Sequence, residues 1–282
     1  MSASLLERAE RFRALHQAAG IFVIANAWDG ASARILEGLG FEAIATSSGA
    51  AAATYGRLDH QLTREEALEH SRLIVASTRC PVSADLEKGF DDSPVGVAET
   101  IRLAAEAGLA GCSIEDSTQD RAQPFYDLGA ATERIAAAAE AARALPFPFT
   151  LTARSENFLH GRTDLDDTIR RLQAFERAGA DVLFAPGLPD LQTVRAVCSA
   201  VSKPVNFMAG IPGRTFPVAE LAAAGVKRVS LATSLYRAAV AGLIAAAREV
   251  REHGTFGYLE RTLGTPTLYD FLKRTSPNGT PT

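Results

Sequence analysis

Eight short apolar runs punctuate the chain, starting at Ile21, Ala43, Val82, Cys112, Phe149, Val182, Val205 and Val229. Each is followed by a stretch patterned as a helix, over 31–39, 63–76, 95–107, 130–144, 166–178, 190–200, 218–223 and 234–252. An amphipathic helix over 5–19 precedes the first run. Strands alternating with helices predict parallel βαβ units. Eight such units predict an α/β fold of the closed (β/α)8 TIM-barrel type. The competing architecture, an open doubly wound sheet, calls for a glycine-rich turn after its first strand. The chain has Asn26-Ala27-Trp28-Asp29 there. Local punctuation agrees with the helices. Asp29 is placed to cap the first barrel helix, Thr63 and Glu66 form a capping-box pattern, and Gly40 and Gly108 sit where helices should close.

The pattern assigns one domain to 1–254. The tail, 255–282, carries Phe256, Tyr258, Tyr269 and Phe271, too many aromatic residues for a disordered segment. It is expected to dock on the barrel or on a neighbouring subunit, with 276–282 flexible.

Composition changes this picture little. Of 282 residues, 47% are hydrophobic and 22% charged, as in an ordinary globular protein. A net charge of −4 offers nucleic acid no basic footprint. No stretch is long and apolar enough to span a bilayer, and residues 1–13 are charged, without a signal-peptide core. Cys80, Cys112 and Cys198 lack metal-ligand or disulfide-framework spacing. The expectation is a reduced, cytoplasmic protein with no nucleic-acid or membrane partner.

The chemistry gathers at strand ends, where this barrel places its active sites. Val82-Ser83-Ala84-Asp85-Leu86-Glu87 ends in two acids that share one side of an extended segment. Glu115 and Asp116 end the next strand, Arg154 the fifth, and Asn206 lies on the seventh; Ser48 and Asp59 follow the second. Neighbouring strands are about 5 Å apart, so these groups can converge. Carboxylates gathered at one point repel one another unless a cation compensates. An oxygen-only shell suits Mg2+, with Mn2+ the alternative, and zinc would need a His/Cys cluster that is not evident. Arg154 can clamp a substrate carboxylate. A metal can polarise a 2-oxo oxygen, and backbone N–H groups of Ser48-Gly49-Ala50 can stabilise the same developing charge. The set describes a site for 2-oxo acids passing through an enolate. A strand end running into a solvated acidic turn is the plain alternative for Asp85 and Glu87.

These residues carry a resemblance. Asn26-Ala27-Trp28-Asp29, Thr46-Ser47-Ser48-Gly49, Ser83-Ala84-Asp85-Leu86-Glu87-Lys88-Gly89-Phe90, Ser113-Ile114-Glu115-Asp116 and Leu151-Thr152-Ala153-Arg154 resemble the isocitrate lyase/phosphoenolpyruvate mutase superfamily, from about residue 12 to 256. The resemblance implies a Mg2+-binding barrel that makes or breaks C–C or P–C bonds in 2-oxo acids. It also implies a homodimer or homotetramer that exchanges its last barrel helix between subunits. Asp85 resembles the family's direct metal ligand. Asp59, Glu87 and Glu115 resemble the acids that hold metal-bound waters, Arg154 the substrate-carboxylate arginine, and Ser48-Gly49 the oxyanion-binding turn. Asn206 is a looser match to a late-strand polar contact.

Two departures narrow the reaction. The loop over 117–127 lacks the Lys-Cys-Gly-His core of the family's tricarboxylate lyases. Ser117 follows the Glu-Asp pair where the mutases and phosphonopyruvate hydrolases usually carry lysine. Glu87 also stands where many members have aspartate. Decarboxylation of an oxaloacetate-like acid asks least of the remaining groups. The expected activity is therefore an oxaloacetate decarboxylase-like enzyme or a lyase releasing pyruvate from a substituted malate, with Asp59, Glu115 and Arg154 in catalytic roles. A P–C bond enzyme and a non-catalytic 2-oxo acid-binding barrel are the alternatives. Tyr55 is a candidate substrate contact or a packing residue. His160 reads as an exposed loop histidine, Cys112 as inert core, Asp116 as a structural hydrogen-bonding group, and the 210–214 loop as a plain turn rather than a phosphate site.

Overall fold

The computed structural model describes residues 4–274. Helix α1 (Leu5–Gln17) leads into strand β1 (Phe22–Asn26), followed by α2 (Gly30–Gly38), β2 (Ile44–Ala45), α3 (Ser48–Thr54) and α4 (Arg64–Ser77). Then come β3 (Val82–Asp85), α5 (Pro94–Glu106), β4 (Gly111–Glu115), α6 (Leu128–Arg143), β5 (Thr150–Arg154) and α7 (Leu165–Ala178). The last units are β6 (Val182–Phe184), α8 (Leu191–Ala200), β7 (Val205–Met208), α9 (Val218–Ala223), β8 (Arg228–Ser230) and α10 (Ser234–His253). A 3-10 turn (Gly257–Arg261) and α11 (Thr265–Arg274) complete the chain.

The eight strands close a parallel barrel in sequence order, with β8 paired to β1. The outward face of each strand is covered by helices and is apolar, while inward positions such as Ser83, Asn206 and Ser230 are polar and line the barrel's cavity. Side chains outside the barrel, such as Ile44, Val82, Cys112, Leu151 and Leu183, pack with the helices into one core. Cys112 is fully buried there, and burial pushes its thiol pKa up. Gly111 allows β4 and β5 to meet closely, since a Cβ there would lie 2.4 Å from the Thr150 carbonyl oxygen.

Caps set the helix starts. Asp29 accepts from the Ser32 N–H, and Thr63 pairs reciprocally with Glu66. Gly179, at φ 107°, closes α7 in the left-handed region. At Ser48-Gly49, where the resemblance implies an oxyanion-binding turn, the chain is already helical: Ser48 begins α3. The run Ala50-Ala51-Ala52-Ala53 explains this, because alanine has the highest helix propensity.

Rings of α1 pack against the barrel's N-terminal end. Phe12 and His16 of α1 meet edge to face at 4.7 Å, and His16 meets Phe22 at 5.0 Å. Ile24, Ala45 and Ala110 complete this plug. At the other end of the chain, α11 lies on α2 of the same chain. Phe271 approaches Gly38, and Arg34 Nη1 donates to the Leu272 carbonyl oxygen at 3.0 Å. Helix α10, by contrast, buries none of its 20 residues. No helix among the described residues is long and apolar enough to cross a membrane. The segment 276–282, expected to be flexible, lies outside the described residues.

Candidate active site

The C-terminal strand ends open into a cavity of about 300 Å3. Ser48, Asp59, Asp85, Arg154, Asn206 and Arg228 are among the residues that line it. Of these, Arg228 was not anticipated.

Arg154 is the hub. Its side chain is buried at the end of β5 and meets three carboxylates. Nη1 donates to Asp85 Oδ1 at 2.8 Å and lies 3.4 Å from Glu115 Oε2, while Nε donates to Glu156 Oε1 at 2.9 Å. Its guanidinium also sits 5.1 Å from the Phe184 ring centre. Burial pulls the Arg154 pKa down, but the three carboxylates outweigh it and hold the cation firmly protonated. Glu156 was missed, although it stands two residues beyond Arg154, the spacing that links Asp85 to Glu87.

Asp85 shows the same contest. Burial opposes its charge, yet Arg154 and donors from Ser48 and Glu87 hold its pKa below the ordinary value. Ser48 gives it both its N–H, at 3.4 Å, and its hydroxyl, at 3.2 Å. The Ser113 hydroxyl reaches its other oxygen at 3.3 Å. The Ser48 donors expected to face an oxyanion thus face Asp85 in this structure. Glu115 goes the other way. Burial, with Glu156, Asp85 and Glu87 nearby, raises its pKa well above the ordinary value, against the pull of Arg154.

A second cluster stands at the mouth. Asp59, His60 and Glu87 bring one ligand atom each within 4.8 Å of one another. His60 Nδ1 lies 3.0 Å from Glu87 Oε2, and Gln119 Nε2 donates to the same oxygen at 2.6 Å. The hydrogen bond to Glu87 raises the His60 pKa, against the effect of burial. Glu87 adopts φ 52°, strained for a residue with a Cβ. That turn carries its carboxylate towards His60. Gly49 permits Asp59 to approach α3, for a Cβ there would lie 3.1 Å from Asp59 Oδ2. The four expected acids therefore fall into two groups: Asp85 and Glu115 on Arg154, Asp59 and Glu87 beside His60. A Glu87 N–H to Asp85 Oδ1 bond of 3.4 Å joins them. His60 and Gln119 were not anticipated. The only sequence sign of His60 is its place next to Asp59.

Asn206 is buried in the wall, donating to Ser230 Oγ at 2.9 Å and accepting from Arg228 Nε at 2.7 Å. Ala50 is buried within α3. Tyr55, the C-cap of α3, stands outside the cavity wall and is exposed beside Arg57. Arg57 pairs with Glu66, away from the site. His160 packs edge-on against Phe125, also outside the wall. Asp116 points away from the site and accepts from the Glu156 N–H at 2.8 Å and Arg171 Nη1 at 3.0 Å. In the 210–214 loop, Gly210 and Ile211 line the cavity, and Arg214 donates to the Gly187 carbonyl oxygen.

The sequence profile of phosphoenolpyruvate phosphomutase matches residues 12–251. The chain belongs to this family. Among solved structures, a lyase/mutase candidate from Burkholderia cenocepacia J2315 is 52% identical, covers 95% of this chain and 96% of its own, and superposes with a TM-score of 0.92. The phosphoenolpyruvate phosphomutase of Streptomyces platensis subsp. rosaceus is 28% identical, with coverage of 93% and 94% and a TM-score of 0.83. Oxaloacetate decarboxylase of Bradyrhizobium diazoefficiens is 31% identical over 215 residues, 73% of this chain and 72% of its own length. Within the isocitrate lyase/phosphoenolpyruvate mutase superfamily the chain is an enzyme of the lyase type.

Proposed function

We propose that this family member is a Mg2+-dependent lyase acting on a small 2-oxo or 2-hydroxy dicarboxylate, with decarboxylation of oxaloacetate as its leading reaction. The composition of the cavity wall carries this reading. Among the described residues, the wall includes acids, arginines, serines and Asn206 but no cysteine, histidine or lysine. Decarboxylation needs no such acid-base group at the reacting carbon. The likeness to an oxaloacetate decarboxylase supports the same choice.

The donor set fits a hard cation. Asp59, Asp85, Glu87 and Glu115 offer carboxylate oxygens, the ligands that Mg2+ prefers, and Mn2+ suits the same oxygens. When bound, the ion would supply a Lewis acid for the 2-oxo group. The chain's own groups do the rest. Arg154 turns from Asp85 to the substrate carboxylate next to the keto carbon. Ser48, whose N–H and hydroxyl both face Asp85, keeps that carboxylate in place; if Asp85 turns to a metal, the same N–H is free to meet the charge that develops on the keto oxygen. As the C3–C4 bond breaks, CO2 leaves and its bonding electrons pass to C3 and the keto oxygen. A solvent proton at C3 then gives pyruvate.

The test is pyruvate release from oxaloacetate with Mg2+ and with chelator, the metal-only background subtracted. Protein-dependent release should vanish with chelator. It should fall at least about 100-fold in Asp85→Asn, with the far-UV spectrum unchanged. No release above background rejects decarboxylation, and substituted malates and phosphonopyruvate become the substrates to try.

We also propose that α10 crosses to a second copy of the chain. Leu243 is 68% exposed on this helix, with Ile244 and Val250 also open to solvent, and Phe256, Leu259 and Leu263 extend the apolar surface. A patch of this kind marks an interface. Light scattering should give a dimer or tetramer that Leu243→Glu weakens; a monomeric wild-type chain would rule this out.

A further inference from the structure

Two buried arginines line the cavity, and they live differently. Arg154 is surrounded by three carboxylates. Arg228, at the start of β8, has none among the described residues. Its Nε donates to Asn206 Oδ1 at 2.7 Å and its Nη2 to Thr152 Oγ1 at 3.1 Å, and its Nη1 lies 3.2 Å from His16 Nε2. His16 Nδ1 is 2.8 Å from the Phe12 carbonyl oxygen, so Nδ1 carries the proton and Nε2 accepts from Arg228. Burial, reinforced by Arg228, holds the His16 pKa down at about 3 and keeps the ring neutral. Every partner of Arg228 is therefore neutral. Burial lowers the Arg228 pKa to about 9, which leaves it charged at neutral pH.

A buried cation without an anion is unfavourable. Hydrogen bonds to neutral groups satisfy only part of it. They take three of the five N–H groups of a guanidinium. The cavity that Arg228 lines is open to Arg154 and Asp85 at its upper end. Its volume equals about ten waters, room for a four-carbon diacid.

We propose that Arg228 receives the distal carboxylate of a dicarboxylate substrate at the cavity floor, while Arg154 and the acid cluster hold its 2-oxo or 2-hydroxy end. This rests on the dicarboxylate reading above and names the group that selects a diacid over a monoacid. The selection acts on binding, since in decarboxylation that carboxylate leaves as CO2 and its contact with Arg228 must break, whereas in cleavage of a substituted malate it is kept. Asn206 is the positioning residue. Its Nδ2 is fixed on Ser230 and its Oδ1 on Arg228, which orients the guanidinium. Arg237, exposed at the mouth and donating to the Gly210 carbonyl oxygen, is the competing cation.

A matched pair of ligands isolates the effect. Malate and lactate share the 2-hydroxy acid end and differ in the distal carboxylate. Their affinities would be measured with Mg2+ present, by calorimetry for malate and by NMR titration for lactate. The proteins are the full chain and its Arg228→Met, Arg228→Lys and Arg237→Met variants. Arg228→Met should weaken malate roughly 10-fold to 100-fold, the range of a hydrogen bond to a charged group, and leave lactate unchanged. Arg228→Lys should recover part of the loss, and Arg237→Met should change neither ligand. Equal weakening of both ligands in Arg228→Met, or none, overturns the proposal and leaves Arg228 a packing residue. A selective loss in Arg237→Met instead assigns the role to the mouth. A wild-type chain that binds neither ligand refutes the site reading itself, and Arg228's role with it.

Discussion

The two ends of the barrel handle buried charge in opposite ways. At the C-terminal end, Arg154 sits among Asp85, Glu115 and Glu156, so each desolvated group has an opposite charge in reach. At the N-terminal end, Arg228 meets only an amide, a hydroxyl and a neutral imidazole, above a plug of Phe12, His16 and Phe22. The upper cluster supports itself and must be pried open for a ligand or metal to enter. The lower cation is anchored by neutral groups alone and has no carboxylate partner among the described residues. One end stores its charges against each other. The other keeps a single charge in reserve.

Removing the upper cation should have the largest effect. Arg154→Gln leaves three buried carboxylates facing one another. Breaking a buried ion pair by deleting one partner costs about 3–5 kcal/mol. Denaturant unfolding should show a loss of that size, together with loss of substrate turnover. Bound Mg2+ should return part of the stability, because it supplies a cation to the same acids. A variant as stable as wild type without metal would mean that the acids are already protonated or solvated, and the contrast between the two ends would fall.

Most of the barrel was legible in the sequence, and the reason is geometric. The outward residues of each strand must be apolar to pack on the helices, so eight runs stand out even where the strand is as short as Ile44–Ala45. Residues at strand ends inherit that register, which is how Asp85, Glu115 and Arg154 could be placed together. Groups on connecting segments do not. His60 and Gln119 converge on Glu87 through turns at φ 64° for both residues, which no hydrophobic period encodes. A turn is expected at Ser48-Gly49, and serine and glycine do favour turns, yet the alanines behind them make the segment the start of α3. Arg228 was invisible for another reason. Beside Lys227 it looks like half of a solvated basic pair, and only barrel closure turns it inward while Lys227 binds carbonyl oxygens of Ala18 and Gly20.

The floor can be tested through its histidine, with a smaller effect than at Arg154. His16 has a folded-state pKa of about 3 against an ordinary value of 6.5. Between these values the unfolded chain binds a proton that the folded chain excludes. His16 therefore stabilises the fold fully above pH 6.5, and that contribution is lost as pH falls towards 3, at up to about 1.4 kcal/mol per pH unit. His70, buried and also lowered, adds a slope of the same sign that remains in any His16 variant. Carboxylates add a background common to both proteins. The difference between wild type and His16→Gln isolates the floor, since the amide oxygen can still accept from Arg228 but does not titrate. Urea midpoints measured from pH 7 to pH 4 should fall more steeply for wild type than for His16→Gln. Parallel slopes would show that His16 titrates as in water. The floor would then be wet, Arg228 would be screened, and its charge would no longer differ in kind from that of an ordinary surface arginine.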